Sequence, residues 1–334
     1  MSSADRRPAP SIRSAVPVLT VTLNTAVDVT YRLPRVELHG TNRVERTVVS
    51  PGGKGVNVAR VLTALGHRCV VTGLAGGGTG EELRAMLAAP GPAGAAPLDD
   101  RLMTVAGTTR RTVAVVDGTG DATVFNEPGP RITADEWAAF VAAYRRLLGG
   151  CGAVALCGSL PPGAPADAYA TLVREAHRAR PGVPVLLDTS GEALVHGLAA
   201  GPDLVKPNAD ELAEATGIQD PAGAAARLAA SGTTAVAASL GPDGALLVSP
   251  EGGWRAAPPR RFAGNPTGAG DSVVAGLLSG LVEGLSWPER LRRAVALSAA
   301  TVLAPTAGEF DADAYRELLP RVRPEPIRLP HIQR

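Results

Sequence analysis

The segment best suited to chemistry on an anion is Gly264-Asn265-Pro266-Thr267-Gly268-Ala269-Gly270-Asp271-Ser272, followed by the mostly apolar run Val273 to Val282. Small residues at Gly268, Ala269 and Gly270 let a phosphate approach the backbone. Amides at a helix start point toward such a group, with the helix dipole in favour. Asp271 would be a poor choice in a pocket that only held phosphate, because like charges repel. It suits a general base that takes a proton from an attacking hydroxyl. A glycine-rich turn with Asp271 as an N-cap is the plain alternative.

Two further junctions carry the only two lysines among 33 basic residues. Lysine is a compact point charge and does not exchange freely with the planar arginine fork at a tight site. Lys54 lies in Gly52-Gly53-Lys54-Gly55, with Asn57 beyond it. This is not a P-loop of the Walker type, because Gly55 stands where Ser or Thr is needed, and Gly76 to Gly80 fails the dinucleotide pattern at Glu81. Lys206-Pro207-Asn208 with Glu211 follows a short apolar strand. Asn208 and Glu211, three apart at a helix start, suit Mg²⁺ held through water, although a capping box explains the same pair.

The elements that must position these residues alternate. Val16 to Asn24 reads as a strand, Arg32 to Val49 as short strands, and Val56 to Leu65 as a helix closed by Gly66. Cys69 to Leu74 is a strand candidate, Glu81 to Ala89 a helix and 90 to 100 a linker. Arg111 to Asp117 and Ala122 to Asn126 form a hairpin pattern, and Thr133 with Glu136 a capping box for a helix through Leu148. Strands at Ala153 to Cys157, Val183 to Leu187, Leu204 to Lys206 and Thr234 to Ser239 then alternate with helices, before a hairpin from Gly244 to Trp254. This is an α/β chain with a mostly parallel sheet, in which ligands sit beyond the carboxyl ends of the strands.

Composition narrows the function. With 33 Lys+Arg against 32 Asp+Glu, the chain lacks the basic excess of a nucleic-acid surface, so a small-molecule partner is expected. No apolar run reaches the roughly 18 residues of a membrane span. The three cysteines lack metal-ligand spacing, and residues 1–15 read as a mobile tail with no export signal, so a cytoplasmic location is expected.

Asp28, Gly52-Gly53-Lys54-Gly55-x-Asn57, Gly158-Ser159-Leu160-Pro161-Pro162-Gly163, Lys206-Pro207-Asn208-x-x-Glu211, Ser239-Leu240-Gly241-x-x-Gly244 and Gly268-Ala269-Gly270-Asp271 stand in a fixed order. In that order the chain, over roughly 17 to 310, resembles the PfkB (ribokinase-like) carbohydrate kinases. Thr22 to Asp28, Asn42-Arg43 and Asn126-Glu127-Pro128-Gly129-Pro130 resemble the branch that contains 1-phosphofructokinase and tagatose-6-phosphate kinase.

The resemblance implies a ribokinase-like α/β domain over 16–29, 49–106 and 128–322, a small β-sheet lid over 30–48 and 107–127, and a C-terminal tail at 323–334. It implies ATP- and Mg²⁺-dependent phosphorylation of a ketohexose phosphate, fructose 1-phosphate giving fructose 1,6-bisphosphate. Tagatose 6-phosphate or fructose 6-phosphate phosphorylated at O1 is the alternative. By the same resemblance Asp271 is the base, and the amides of Gly268, Ala269 and Gly270 receive the transferring phosphoryl group. Asp28, Gly52, Gly53, Asn57 and Ser159 line the sugar site, while Lys54 and Arg110 hold the phosphate already on the sugar. Lys206, Asn208, Ser239, Gly241 and Thr267 serve ATP, with Glu211 and Asn208 serving the metal through water. A homodimer paired through the lid is also implied. A sugar-phosphate sensor on the same fold is the reading from a different class, disfavoured because a sensor has no need of Asp271.

Overall fold

The computed structural model of the chain describes residues 14–92, 94–119, 122–230 and 232–329. The tail expected over 1–15 lies outside the described residues, apart from 14 and 15, which open the first strand.

The first half comprises β1 (Ser14–Thr22), β2 (Ala26–Arg32), β3 (Arg46–Gly52), α1 (Lys54–Ala64), β4 (His67–Ala75), α2 (Gly77–Ala88), β5 (Leu98–Thr104), β6 (Arg110–Val116), β7 (Ala122–Asn126) and α3 (Ala134–Leu148). Then come β8 (Ala153–Cys157), α4 (Ala168–Ala179), β9 (Val185–Asp188), α5 (Gly191–Leu198), β10 (Leu204–Val205), α6 (Ala209–Thr216), α7 (Pro221–Ala229) and β11 (Ala235–Ser239). The chain closes with β12 (Ala245–Ser249), β13 (Gly252–Ala256), α8 (Ala269–Val282), α9 (Trp287–Val302), α10 (Ala312–Leu318) and β14 (Glu325–Ile327).

Ten strands form one sheet in the order β14-β13-β12-β11-β10-β9-β8-β1-β4-β5. The seven from β11 to β5 run parallel, and β12, β13 and β14 extend the sheet antiparallel. A parallel sheet must be covered on both faces, which is why its central strands β8 and β9 are buried at every position. In β8 the side chains of Ala153, Ala155 and Cys157 enter one core, with α1, α8 and α9, while Val154 and Leu156 enter the other, with α3, α4 and α5. The α/β architecture expected from the alternation is therefore present, flanked by helices on both sides.

Local signals behave as their chemistry dictates. Thr133 and Glu136 make the reciprocal capping box that opens α3. Gly66, at φ 92°, ends α1 by donating its N–H to Thr63 O. Helix α2 starts at Gly77, four residues before the expected Glu81, so the glycine run is its first turn and not a loop. The bare Gly76 permits this, because a Cβ there would overlap the carbonyl oxygens of Val105 and Gly107.

Three stretches differ from the sequence expectation. The linker expected over 90–100 gives way at Leu98 to β5, an edge strand whose Asp99, Asp100 and Arg101 suit an exposed border. The C-terminal tail expected at 323–334 contains β14, which pairs with β13 through Gly253, Trp254 and Arg255. The smaller sheet, ordered β3-β2-β6-β7, reaches beyond 30–48 on both sides, because β2 begins at Ala26 and β3 continues to Gly52.

Gly73, at φ 155°, faces Thr22 where β4 leaves β1, and a Cβ there would overlap the Thr22 carbonyl oxygen. Gly73→Ala is expected to destabilise the fold by about 2–4 kcal/mol. Urea unfolding checks this, and an unchanged midpoint would refute the close approach.

Candidate active site

The parallel strands deliver polar residues to one edge of the sheet: Asn24 beyond β1, Ser159 beyond β8, Asp188 at the end of β9, Lys206 after β10 and Ser239 at the end of β11. Helix dipoles and exposed strand ends make this edge the place for a charged ligand.

At its centre four charges are packed together. Asp188, 1% exposed, sets Oδ1 at 3.1 Å from Lys54 Nζ and 3.4 Å from Lys206 Nζ. Lys54 is the first residue of α1, aimed by Gly53 at φ 103°, which Gly can adopt without strain. Burial works against the ammonium of Lys54, but the charges of Asp188 and Asp271 and the Asp188 hydrogen bond outweigh it and hold its pKa above the usual lysine range. Glu211 adds to the same effect.

Asp271 lies in the first turn of α8, 7% exposed, and its Oδ2 accepts a 2.8 Å hydrogen bond from Asn57 Nδ2. Burial foremost, and then the nearby Asp188 charge, push its carboxyl up to about 7, against the pull of Lys54, Asn57 and Lys206. A carboxylate poised there holds or releases a proton near neutrality, which is what a general base requires. Helix α8 has no side-chain cap: Gly268, at φ 83°, occupies the N-cap position. The Ala269 amide donates to Pro266 O at 3.1 Å, while the amides of Gly268 and Gly270 have no protein acceptor among the described residues. Lys206 stands beside this opening, 3.7 Å from where a Gly270 Cβ would be.

On one side lies the smaller sheet. Asp28 on β2 is raised in pKa by burial, partly offset by a hydrogen bond from Thr112 and the charges of Arg110 and Arg60. Gly52 on β3 lies against it, and a Cβ there would overlap the Asp28 carboxylate. Arg110 reaches Asn24 O, Asn126 Oδ1 and Glu127 O, each at 3.4 Å. Asn24 Nδ2 donates to Ser159 Oγ at 3.2 Å and to Pro128 O at 3.1 Å. Lys54 and Arg110, expected to act on one phosphate, thus have different partners: Asp188 for the first, the Asn24 and Asn126 region for the second.

On the other side a cleft of about 490 Å³ is lined by Asn208, Ser239, Gly241 and Gly270, with Val273, Val295 and Val302 as apolar wall. Thr267 is exposed at its rim, next to the lining residue Pro266. Asn208 and Glu211 form a capping box on α6, with both hydrogen bonds at 2.8 Å. That bond engages Glu211 Oε2, while Asp188 Oδ2 is buried with no hydrogen-bond partner. Among the described residues no cluster of three or more His, Cys, Asp or Glu is placed to hold a metal. The donors present fit an ion held by one or two carboxylates and by substrate phosphates, as Mg²⁺ commonly is.

A buried carboxylate of raised pKa, open amides at a helix start and two lysines are the parts of phosphoryl transfer, and the model of the pfkB family carbohydrate kinases matches residues 15–313. The chain belongs to the pfkB family of carbohydrate kinases. This carbohydrate kinase is 41% identical over 288 residues to a 1-phosphofructokinase of Rhodobacter capsulatus, covering 84% of this chain and 89% of that one. It is 36% identical to a 1-phosphofructokinase of Haemophilus influenzae, over 92% of this chain and 97% of the relative. The solved structure of phosphofructokinase-2 from Escherichia coli in complex with fructose-6-phosphate is similar with TM-score 0.81 and 30% identity, covering 92% of this chain and 99% of that one. Sugar kinases of this family use ATP and a divalent metal. No helix of this kinase, among the described residues, is long and apolar enough to cross a membrane.

Three residues of the site had no role in the sequence reading. Asp188 follows the apolar run Val183 to Leu187, and an acid ending a buried strand at the ligand edge was the available signal. Asn24 lies two residues beyond β1, at the same edge of the sheet. Arg60 gives no such signal; from α1 it holds Ala307 O at 2.6 Å and Glu309 at 2.8 Å, fixing the loop on which Gly268 rests.

The raised carboxyl of Asp271 sets a direction for stability. Its folded pKa, about 7, exceeds the ordinary 3.8, so the stability it permits at low pH is lost as pH rises through that window. Asp271→Asn removes the dependence. The variant is expected to gain on the wild type by at least about 1 kcal/mol more at pH 8 than at pH 5 in urea titrations. The same difference at both pH values would show that the carboxyl is not held up in the folded state.

Proposed function

We propose that this kinase transfers the γ-phosphoryl group of ATP to O6 of fructose 1-phosphate, giving fructose 1,6-bisphosphate and ADP. The observation that carries the reading is Asp271, buried at the open start of α8 within the Lys54, Lys206 and Asp188 cluster. The two 1-phosphofructokinase relatives support the choice of sugar.

In this mechanism Asp28, Gly53, Asn57 and Ser159 hold the sugar hydroxyls, and Gly52 leaves room for the Asp28 carboxylate. Arg110 grips the phosphate already on the sugar by its guanidinium fork. Lys54 keeps donors beyond the one on Asp188 and assists there. Asp271 takes the proton of the attacking hydroxyl as the new O–P bond forms and the bond to the ADP oxygen breaks. The amides of Gly268 and Gly270 receive the charge on the moving phosphoryl oxygens, with Ala269 completing the turn that aims them. Lys206 neutralises charge on the ATP phosphates, and the nucleotide occupies the cleft formed by Asn208, Ser239 and Gly241, with Thr267 at its rim. Glu211, Asn208 through water and the open oxygen of Asp188 would hold Mg²⁺, which supplies charge neutralisation on the phosphates. ATP and a sugar phosphate are cytoplasmic molecules, and three free, buried cysteines are in keeping with that compartment.

ADP release is measured with Mg-ATP against fructose 1-phosphate, fructose 6-phosphate, tagatose 6-phosphate, fructose and ribose. Fructose 1-phosphate should give the highest kcat/KM; dominance of fructose 6-phosphate or tagatose 6-phosphate would move transfer to O1, and no turnover would favour a sensor. Asp271→Asn should lower kcat by about 10²–10⁴ with sugar binding retained. In the wild type kcat/KM should rise with pH through about 7, where Asp271 ionises.

We also propose a homodimer paired through the smaller sheet. Val49, Val29, Val113 and Phe125 align in one row across its four strands, and Val49 and Phe125 at the ends are exposed. Light scattering should give twice the chain mass, and Val49→Asp with Phe125→Asp should give the monomer. A monomeric wild type at assay concentration would defeat the proposal.

A further inference from the structure

Next to the nucleotide cleft, at the outer end of the large sheet, lies a second concavity of about 640 Å³ that phosphoryl transfer does not use. Five arginines line it, Arg255, Arg260, Arg261, Arg321 and Arg323, against two acids, Asp243 and Glu325. They come from separate parts of the chain: β13, the loop before α8, and the segment that leads into β14. The chain as a whole is nearly neutral, so this local excess is a property of the fold and not of bulk composition.

Internal pairing leaves much of that charge open. Arg261 meets Asp243 at 2.7 Å, Arg321 pairs with Glu317, and the Arg260 guanidinium lies 4.6 Å from the Phe262 ring centroid. Arg255 stands opposite Glu325 in the β13–β14 register, yet neither Arg255 nor Arg323 makes an ion pair among the described residues. Like charges gathered in a hollow raise one another's energy, and an anion between them relieves it. Guanidinium forks match the oxygens of phosphate in pairs, which a lone lysine does not.

We propose that this concavity is a second ligand site, for a compact anion bearing two or more phosphate groups, separate from both the sugar site and the nucleotide cleft. Its concave form favours a small anion over a long one laid across a flat face. The site shares walls with the cleft: Pro242 and Pro258 line both, and the loop that carries Arg260 and Arg261 continues into Phe262 and Ala263 of the cleft. An anion drawn against the arginines therefore acts on the loop that shapes the nucleotide cleft. Any effect on nucleotide affinity is matched by an equal effect of nucleotide on the anion.

The proposal rests on the reading of the cleft as the nucleotide site, so that reading is measured first, by calorimetry with a non-hydrolysable ATP analogue alone. Inorganic triphosphate is then titrated into protein saturated with the analogue, with magnesium in excess, so that the cleft is closed to it. One triphosphate per chain is expected to bind the wild type, at least about tenfold more weakly to Arg255→Ser/Arg323→Ser. Arg174→Ser/Arg316→Ser, which removes the same charge elsewhere on the surface, should bind as the wild type does, and both variants should keep the wild-type kcat. Absence of binding to the saturated wild type overturns the proposal, as does equal binding by the Arg255/Arg323 variant or an equal loss in the control variant. Capture of heparin with no binding of triphosphate would assign the surface to long polyanions and overturn it as well. Failure of the analogue itself to bind would count against the cleft and is read separately.

Discussion

One buried carboxylate keeps two ammonium groups within reach of each other. Without Asp188 the buried ammonium of Lys206 would stand beside that of Lys54 with no carboxylate between them, and a buried charge left without its partner costs several kcal/mol. The same carboxylate acts in the opposite sense on Asp271, which it helps to keep protonated to higher pH. Attraction for the lysines and repulsion for Asp271 come from a single group, so the placing of the two ammonium groups and the affinity of Asp271 for its proton are not independent. A change at Asp188 alters both.

This cluster exists because parallel strands all end on one side. The end of β9 supplies Asp188 and the next strand supplies Lys206, while α1 and α8 bring Lys54 and Asp271 to the same edge by their N-termini. Both helices begin at a glycine with positive φ, Gly53 and Gly268, so each turns sharply out of its loop with its first turn open to the ligand. The backbone there is as much a part of the site as the side chains are.

Residues carried on small-residue loops were legible in the sequence, because glycine next to a lone lysine or aspartate has few purposes apart from close approach to a ligand. Lys54 and Asp271 belong to this class, whereas Lys206, flanked by Val205 and Pro207, stood out only as the second of two lysines. Asp188 was not legible, since its meaning comes from a partner 134 residues away and its surroundings read as the end of an ordinary buried strand. Asn208 and Glu211 were legible as a pair, and the capping box formed by them is a structural role compatible with Asn208 lining the cleft. Strands β5 and β14 escaped notice for a different reason. Edge strands have one unpaired side and tolerate charge and proline, which erases the apolar pattern that marks a central strand.

The hydrogen bond between Asn57 and Asp271 joins residues 214 apart, and that between Lys54 and Asp188 spans 134. Contacts of such separation form only after long stretches of chain have been closed, and they are slow to appear. A ribosome releases Lys54, Asp188 and Lys206 well before α8. The growing chain therefore carries Lys54, Asp188 and Lys206 before it carries Asp271, and the four-charge cluster closes only when α8 arrives.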